Sequence, residues 1–84
     1  MQLEIYITNE CTNCGEARLI AEQARAIADL EVKVIDLEAP GQSVPPQVVA
    51  VPTYLLNGRI MSLGNPKREE FLGELRQLSE EEAR

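Results

Sequence analysis

The stretch IYITNECTNCGEARLIAEQA, residues 5–24, decides how this chain is read. Its first residues belong to QLEIYI (residues 2–7), where apolar and polar side chains alternate and Leu3, Ile5 and Ile7 share one face. Alternation with period two, in residues that favour extended backbone, predicts a β-strand. Thr8-Asn9-Glu10 then reads as a polar turn. From about residue 12 to residue 29 the period lengthens, and Ala17, Ile20, Ala21, Ala24, Ile27 and Ala28 recur at steps of three and four. That spacing is one face of an amphipathic helix, with small alanines that let it lie close to a sheet. Glu16, Arg18, Glu22 and Arg25 fall on its other faces. Between strand and helix stands Cys11-Thr12-Asn13-Cys14.

A Cys-x-x-Cys at a helix start has a definite chemical use. The first turn of a helix leaves backbone N–H groups unpaired, and the macrodipole favours an anion there. The anion would be a thiolate, the form of cysteine that attacks disulfides. Cys14 lies one turn deeper, close enough to pair with Cys11 or to attack a mixed disulfide held on it. Two other uses of the pair are two small buried thiols, or half of a zinc site. Zinc normally takes four ligands, and this chain has one Cys-x-x-Cys and no histidine, so metal would have to be shared between two chains. The place of the pair, after a strand and before a helix, favours dithiol chemistry.

Outward from this stretch, VKVIDL (residues 32–37) returns to strand character. Strand, helix and strand form a βαβ unit, whose crossover makes the two strands parallel. EAPGQSVPPQ (residues 38–47) holds three of the five prolines and reads as a loop, with room for one helical turn from Pro46 through Ala50. TYLLN (53–57) and RIMSL (59–63) flank Asn57-Gly58, the strongest short signal for a β-hairpin. Gly64 then releases the chain. Asn65 is a good N-cap and Pro66 a good first helical residue. Phe71, Leu72, Leu75 and Leu78 stripe a helix over about 67–79, beyond which EEEAR is expected to fray. The expected order is β-α-β, a proline-rich loop, then β-β-α, in one domain over residues 1–84.

Composition narrows the function. Of 84 residues, 44% are hydrophobic and 26% charged, the balance of a globular chain and not of a disordered one. The net charge is −6, which disfavours nucleic acid and anionic membrane surfaces as partners. With no histidine, imidazole catalysis and histidine-ligated metals are excluded. Two cysteines are too few for a secreted disulfide scaffold. Residues 1–10 lack a basic start and a long apolar run, and SEEEAR carries no lipidation signal, so a cytoplasmic protein is expected.

These features together resemble the thioredoxin-like superfamily in its short, glutaredoxin-sized form. The resemblance covers essentially the whole chain and is carried by Cys11 and Cys14 after the first strand, the element order, Val51-Pro52-Thr53 at the third strand and Gly64 after the fourth. It implies an α/β thioredoxin-like fold, a four-stranded mixed sheet flanked by helices, from which this chain departs in having the middle helix shortened or absent. It implies a cis bond before Pro52 beside the cysteines, and a Val51 backbone that hydrogen-bonds the substrate chain, with Thr12 and Asn13 also lining the substrate. The chain departs from family patterns at Thr12-Asn13, which is neither Gly-Pro nor Pro-Tyr, and at Glu10, where thioredoxins have Trp. It also lacks the Lys by which many glutaredoxins hold glutathione, and has Gly64-Asn65 in place of Gly-Gly.

The expected function is a small monomeric thiol–disulfide oxidoreductase acting on disulfide-containing proteins. Cys11 is the nucleophile and Cys14 the resolving thiol. A reductase or a small thiol supplies electrons, and no cofactor or metal is needed. Glu10 should raise the Cys11 thiol pKa and the helix start should lower it, giving a modestly activated thiol. Two other readings are a non-catalytic binding module on the same scaffold, with Val48–Val51 as its contact surface, and a carrier of metal or cluster bridging two chains.

Overall fold

The computed structural model describes residues 1–8, 12–41 and 44–82. Its elements are β1 (Gln2–Ile7), α1 (Cys14–Ala24), β2 (Glu31–Asp36), β3 (Thr53–Leu56), β4 (Arg59–Leu63) and α2 (Arg68–Glu82). The four strands form one sheet in the order β2-β1-β3-β4. β1 pairs parallel with β2, Leu3 beside Val32 and Ile5 beside Val34. It pairs antiparallel with β3, Leu3 opposite Leu56 and Ile5 opposite Tyr54. β3 and β4 are antiparallel. This is the mixed sheet and the β-α-β, β-β-α order expected from the sequence.

Strand alternation sorts the side chains into two layers. Leu3, Ile5, Ile7, Tyr54 and Leu56 lie on one face, with Val32, Val34 and Met61 at its margin. Ala17, Ile20, Ala21 and Ala24 of α1 and Phe71, Leu72 and Leu75 of α2 pack there. Each fully buried aliphatic on this face contributes about 1.5–3 kcal/mol relative to exposure. Both helices cover the same side of the sheet. Tyr6, Thr53 and Leu55 are also buried but point to the other side. Thr53 Oγ1 donates to the Ala50 carbonyl, and Gln47 Nε2 donates to the Gly58 carbonyl at 3.3 Å.

Among the described residues no helix lies between β2 and β3, so the middle helix is absent there. Pro46 opens no helical turn through Ala50. The chain makes one tight turn, the Val48 N–H donating to the Pro45 carbonyl at 3.0 Å. Asn57 and Gly58 have φ of 50° and 83°, the pair of positive values that a two-residue hairpin turn of type I′ requires. A bulge follows, since Leu55 faces Ile60 while Tyr54 faces Ser62.

Three boundaries differ from expectation. α1 ends at Ala24 and not at residue 29. The N–H groups of Ala26 and Ile27 reach back three residues to Gln23 and Ala24, and Asp29 takes a φ of 61°. Tertiary partners take the carbonyls there: Ser79 Oγ donates to Ala28 at 2.6 Å and the Met1 amino group to Asp29 at 2.9 Å. Ile27 stays buried although the helix has ended, whereas Ala28 is exposed. α2 starts at Arg68, its Phe71 N–H pairing with the Lys67 carbonyl at 2.9 Å, so Asn65 is not its N-cap. α2 continues through Glu82, so Glu80, Glu81 and Glu82 are helical where EEEAR was expected to fray, and residues 83–84 lie outside the described residues. Glu82 lies 3.7 Å from the Met1 amino group, a partner the helix pattern could not reveal. None of the helices is long and apolar enough to cross a membrane among the described residues.

Candidate active site around Cys14

Cys14 is the first residue of α1, only 3% exposed, and packs into the main core. It is disulfide-bonded. Thr12 and Asn13 are exposed in the turn that leads to it. Asn13 occupies the N-cap position with φ −95° and ψ −2°, and its side chain makes no capping hydrogen bond. Residues 9–11 lie outside the described residues, and with them most of the expected Thr8-Asn9-Glu10 turn, the Cys11 nucleophile and the effect of Glu10 on its thiol.

The Val51–Pro52 peptide bond is cis. Pro52 is fully buried and Val51 half-buried at the entrance of β3. The Pro52 carbonyl accepts the Gly64 N–H at 2.7 Å. Gly64 has a φ of 88°, a left-handed conformation that glycine adopts without a side-chain penalty. The next residue turns the other way: Asn65 Nδ2 donates to the Asn13 carbonyl at 2.6 Å. The dipeptide Gly64-Asn65 thus ties the segment carrying Pro52 and the turn carrying Cys14 to one point. These are two of the segments that the sequence proposes for the site, although 38 residues separate Cys14 from Pro52.

The sequence offers Asn65 as a helix cap, because Asn before Pro is a favoured start, and as the residue in place of the second Gly of Gly-Gly. Its amide is used elsewhere. The Tyr54 hydroxyl donates to Asn65 Oδ1 at 2.8 Å. Tyr54 is buried in β3, with its ring edge-on to Phe71 at a centroid distance of 5.2 Å. Glu16 and Arg68, 3.6 Å apart, join α1 to α2 across partly exposed surface, a pair worth about 0–1 kcal/mol. Asp36 ends β2, and its Oδ1 accepts the Glu38 N–H at 2.9 Å in a local turn.

Two phenols here make stability depend on alkaline pH. Burial lifts the Tyr54 phenol far above its ordinary value of 10.0, and the charge on Glu16 adds to the effect. Burial, the hydrogen bond to Glu4 and the charge of Glu4 push the Tyr6 phenol up to about 12. Both are raised in the folded state, so their contribution is complete below about pH 10 and is lost as pH climbs from there through the folded values. The urea midpoint should therefore fall between about pH 10 and pH 12. Tyr54→Phe should flatten that fall. A midpoint with the same slope in both proteins would contradict the assignment to Tyr54.

A family model described as Thioredoxin domain matches residues 1–77. A protein named Thioredoxin from Methanocaldococcus jannaschii is 29% identical over 75 residues, a span of 86% of this chain and 88% of that protein.

Proposed function

We propose that this chain, which belongs to the thioredoxin-domain family, exchanges electrons with protein disulfides through Cys11 and Cys14. The observation that carries the reading is the place of Cys14: buried, disulfide-bonded and first in α1, in a turn bound through Gly64-Asn65 to the Val51-Pro52 segment. A thiol so enclosed suits attack on a neighbouring sulfur better than attack on a large substrate. Cys11, three residues earlier, takes the outer role.

The reaction has two exchanges. The Cys11 thiolate attacks one sulfur of the substrate disulfide, forming a mixed disulfide and expelling the other substrate sulfur as a thiolate. The Cys14 thiolate then attacks the Cys11 sulfur, closing the protein disulfide and expelling the second substrate sulfur. The substrate gains two electrons and, from solvent, two protons. A reductase or small thiol returns two electrons and two protons to the pair. In the mixed disulfide the exposed Thr12 and Asn13 and the backbone of Val51 border the substrate chain, and Pro52 shapes that edge.

Cys14→Ser separates the two exchanges. Incubated reduced with a disulfide-linked peptide, it should accumulate one covalent peptide adduct by mass spectrometry, which a dithiol removes. Cys11→Ser should accumulate none. Equal adducts on both variants would reject the assigned order, and no adduct on either would favour the non-catalytic binding module.

A further inference from the structure

We propose that Asn65 is a positioning residue for the cysteine-bearing turn, with the Tyr54 hydroxyl setting the orientation of its amide. This deepens the dithiol–disulfide reading and rests on it. A backbone carbonyl can only accept a hydrogen bond, so the Asn65 nitrogen must face Asn13, and the amide oxygen is left for another donor. The Tyr54 hydroxyl is that donor. It needs an acceptor because its ring is buried, and the ring is held against Phe71 of α2. A continuous path therefore runs from the core, through the Tyr54 hydroxyl and the Asn65 amide, to the Asn13 carbonyl. That carbonyl belongs to the rigid peptide plane that enters Cys14. Holding the oxygen holds the plane, and with it the backbone on which the Cys14 sulfur is mounted.

The consequence is a bias in the redox equilibrium. Closing a disulfide requires the turn between the cysteines to be ordered, and ordering backbone costs conformational entropy. The Asn65 anchor orders residue 13 in the dithiol form before the bond closes. Without it the dithiol gains freedom that the disulfide, tied by its S–S bond, cannot gain to the same degree. The equilibrium is protein disulfide plus reference dithiol giving protein dithiol plus reference disulfide. Two electrons and two protons pass to the protein, whose S–S bond breaks as that of the reference forms. Loss of the anchor moves it towards the protein dithiol.

The experiment titrates the full chain and its variants against dithiothreitol. Asn65→Ala should raise the equilibrium constant for reduction about fivefold, a potential about 20 mV less negative at about 30 mV per tenfold. Tyr54→Phe, which keeps the ring, should shift it in the same direction by less, and it carries the test should Asn65→Ala fail to fold. The double variant should shift no further than Asn65→Ala, because the hydroxyl acts through the amide. Ser79→Ala removes the bond to Ala28, remote in sequence from the cysteines, and should lower stability while leaving the constant unchanged. Constants for Asn65→Ala and Tyr54→Phe that match the parent protein would overturn the inference. So would additive shifts in the double variant, or an equal shift from Ser79→Ala. If the parent protein itself shows no reversible transition, the dithiol reading and this inference fall together. A reversible parent with unmoved variants overturns the inference alone.

Discussion

Cys11→Ser should lower turnover of a protein disulfide by about a thousandfold or more, because it removes the atom on which the first exchange occurs. A serine oxygen is almost wholly protonated at neutral pH and forms no bond to sulfur that a second thiol can resolve. The loss should fall on the chemical step and leave the fold in place. The thermal midpoint of Cys11→Ser should match that of the reduced parent to within a few degrees, since neither carries the bridge and the substitution exchanges one sulfur for one oxygen. A variant that keeps a tenth of the parent's turnover would place the chemistry elsewhere.

Ile5→Ala should have the largest effect on stability, about 2–5 kcal/mol. Ile5 is 0% exposed on β1, which lies between β2 and β3 in the sheet. It sits beside Val34 and opposite Tyr54, under the face that both helices cover. Truncation removes its transfer free energy and leaves a cavity that these rigid neighbours cannot fill. A domain of this length holds only about 4–13 kcal/mol in total, so the substitution removes a large share of it. Ile60→Ala on β4, where the side chain is 46% exposed, should change stability by no more than about 0.5 kcal/mol. Urea unfolding of both variants checks the contrast, and equal losses would place the core wrongly.

The strands were legible because their evidence is local. QLEIYI alternates, Asn57-Gly58 demands positive φ, and the observed strands differ from the sequence expectation by a residue at most. The place of Cys14 at the start of α1 was legible for the same reason, since a strand, a Cys-x-x-Cys and a helical stripe follow one another in the chain. The C-terminus of α1 was not. Its apolar spacing runs on to Ile27, which is indeed buried, but the carbonyls of Ala28 and Asp29 are taken by Ser79 and Met1 from far along the sequence. Asn65 misled in the same manner. Asn-Pro before an apolar stripe is a sound local argument for a cap, and the competing partners are Tyr54 and Asn13, the latter 52 residues away. Side-chain hydrogen bonds of such long sequence separation leave no periodic trace, and the one from Asn65 to Asn13 reaches the turn that carries Cys14.

The central claim is that Cys11 and Cys14 form a reversible two-electron couple. The most direct measurement is the fraction of free thiol in the full chain across a graded dithiothreitol buffer, followed by thiol alkylation and mass. The account predicts one reversible transition that fits two electrons per chain, traced identically from the oxidised and reduced sides and absent in Cys11→Ser. Thiols that stay oxidised or reduced throughout, or that change irreversibly, would contradict it.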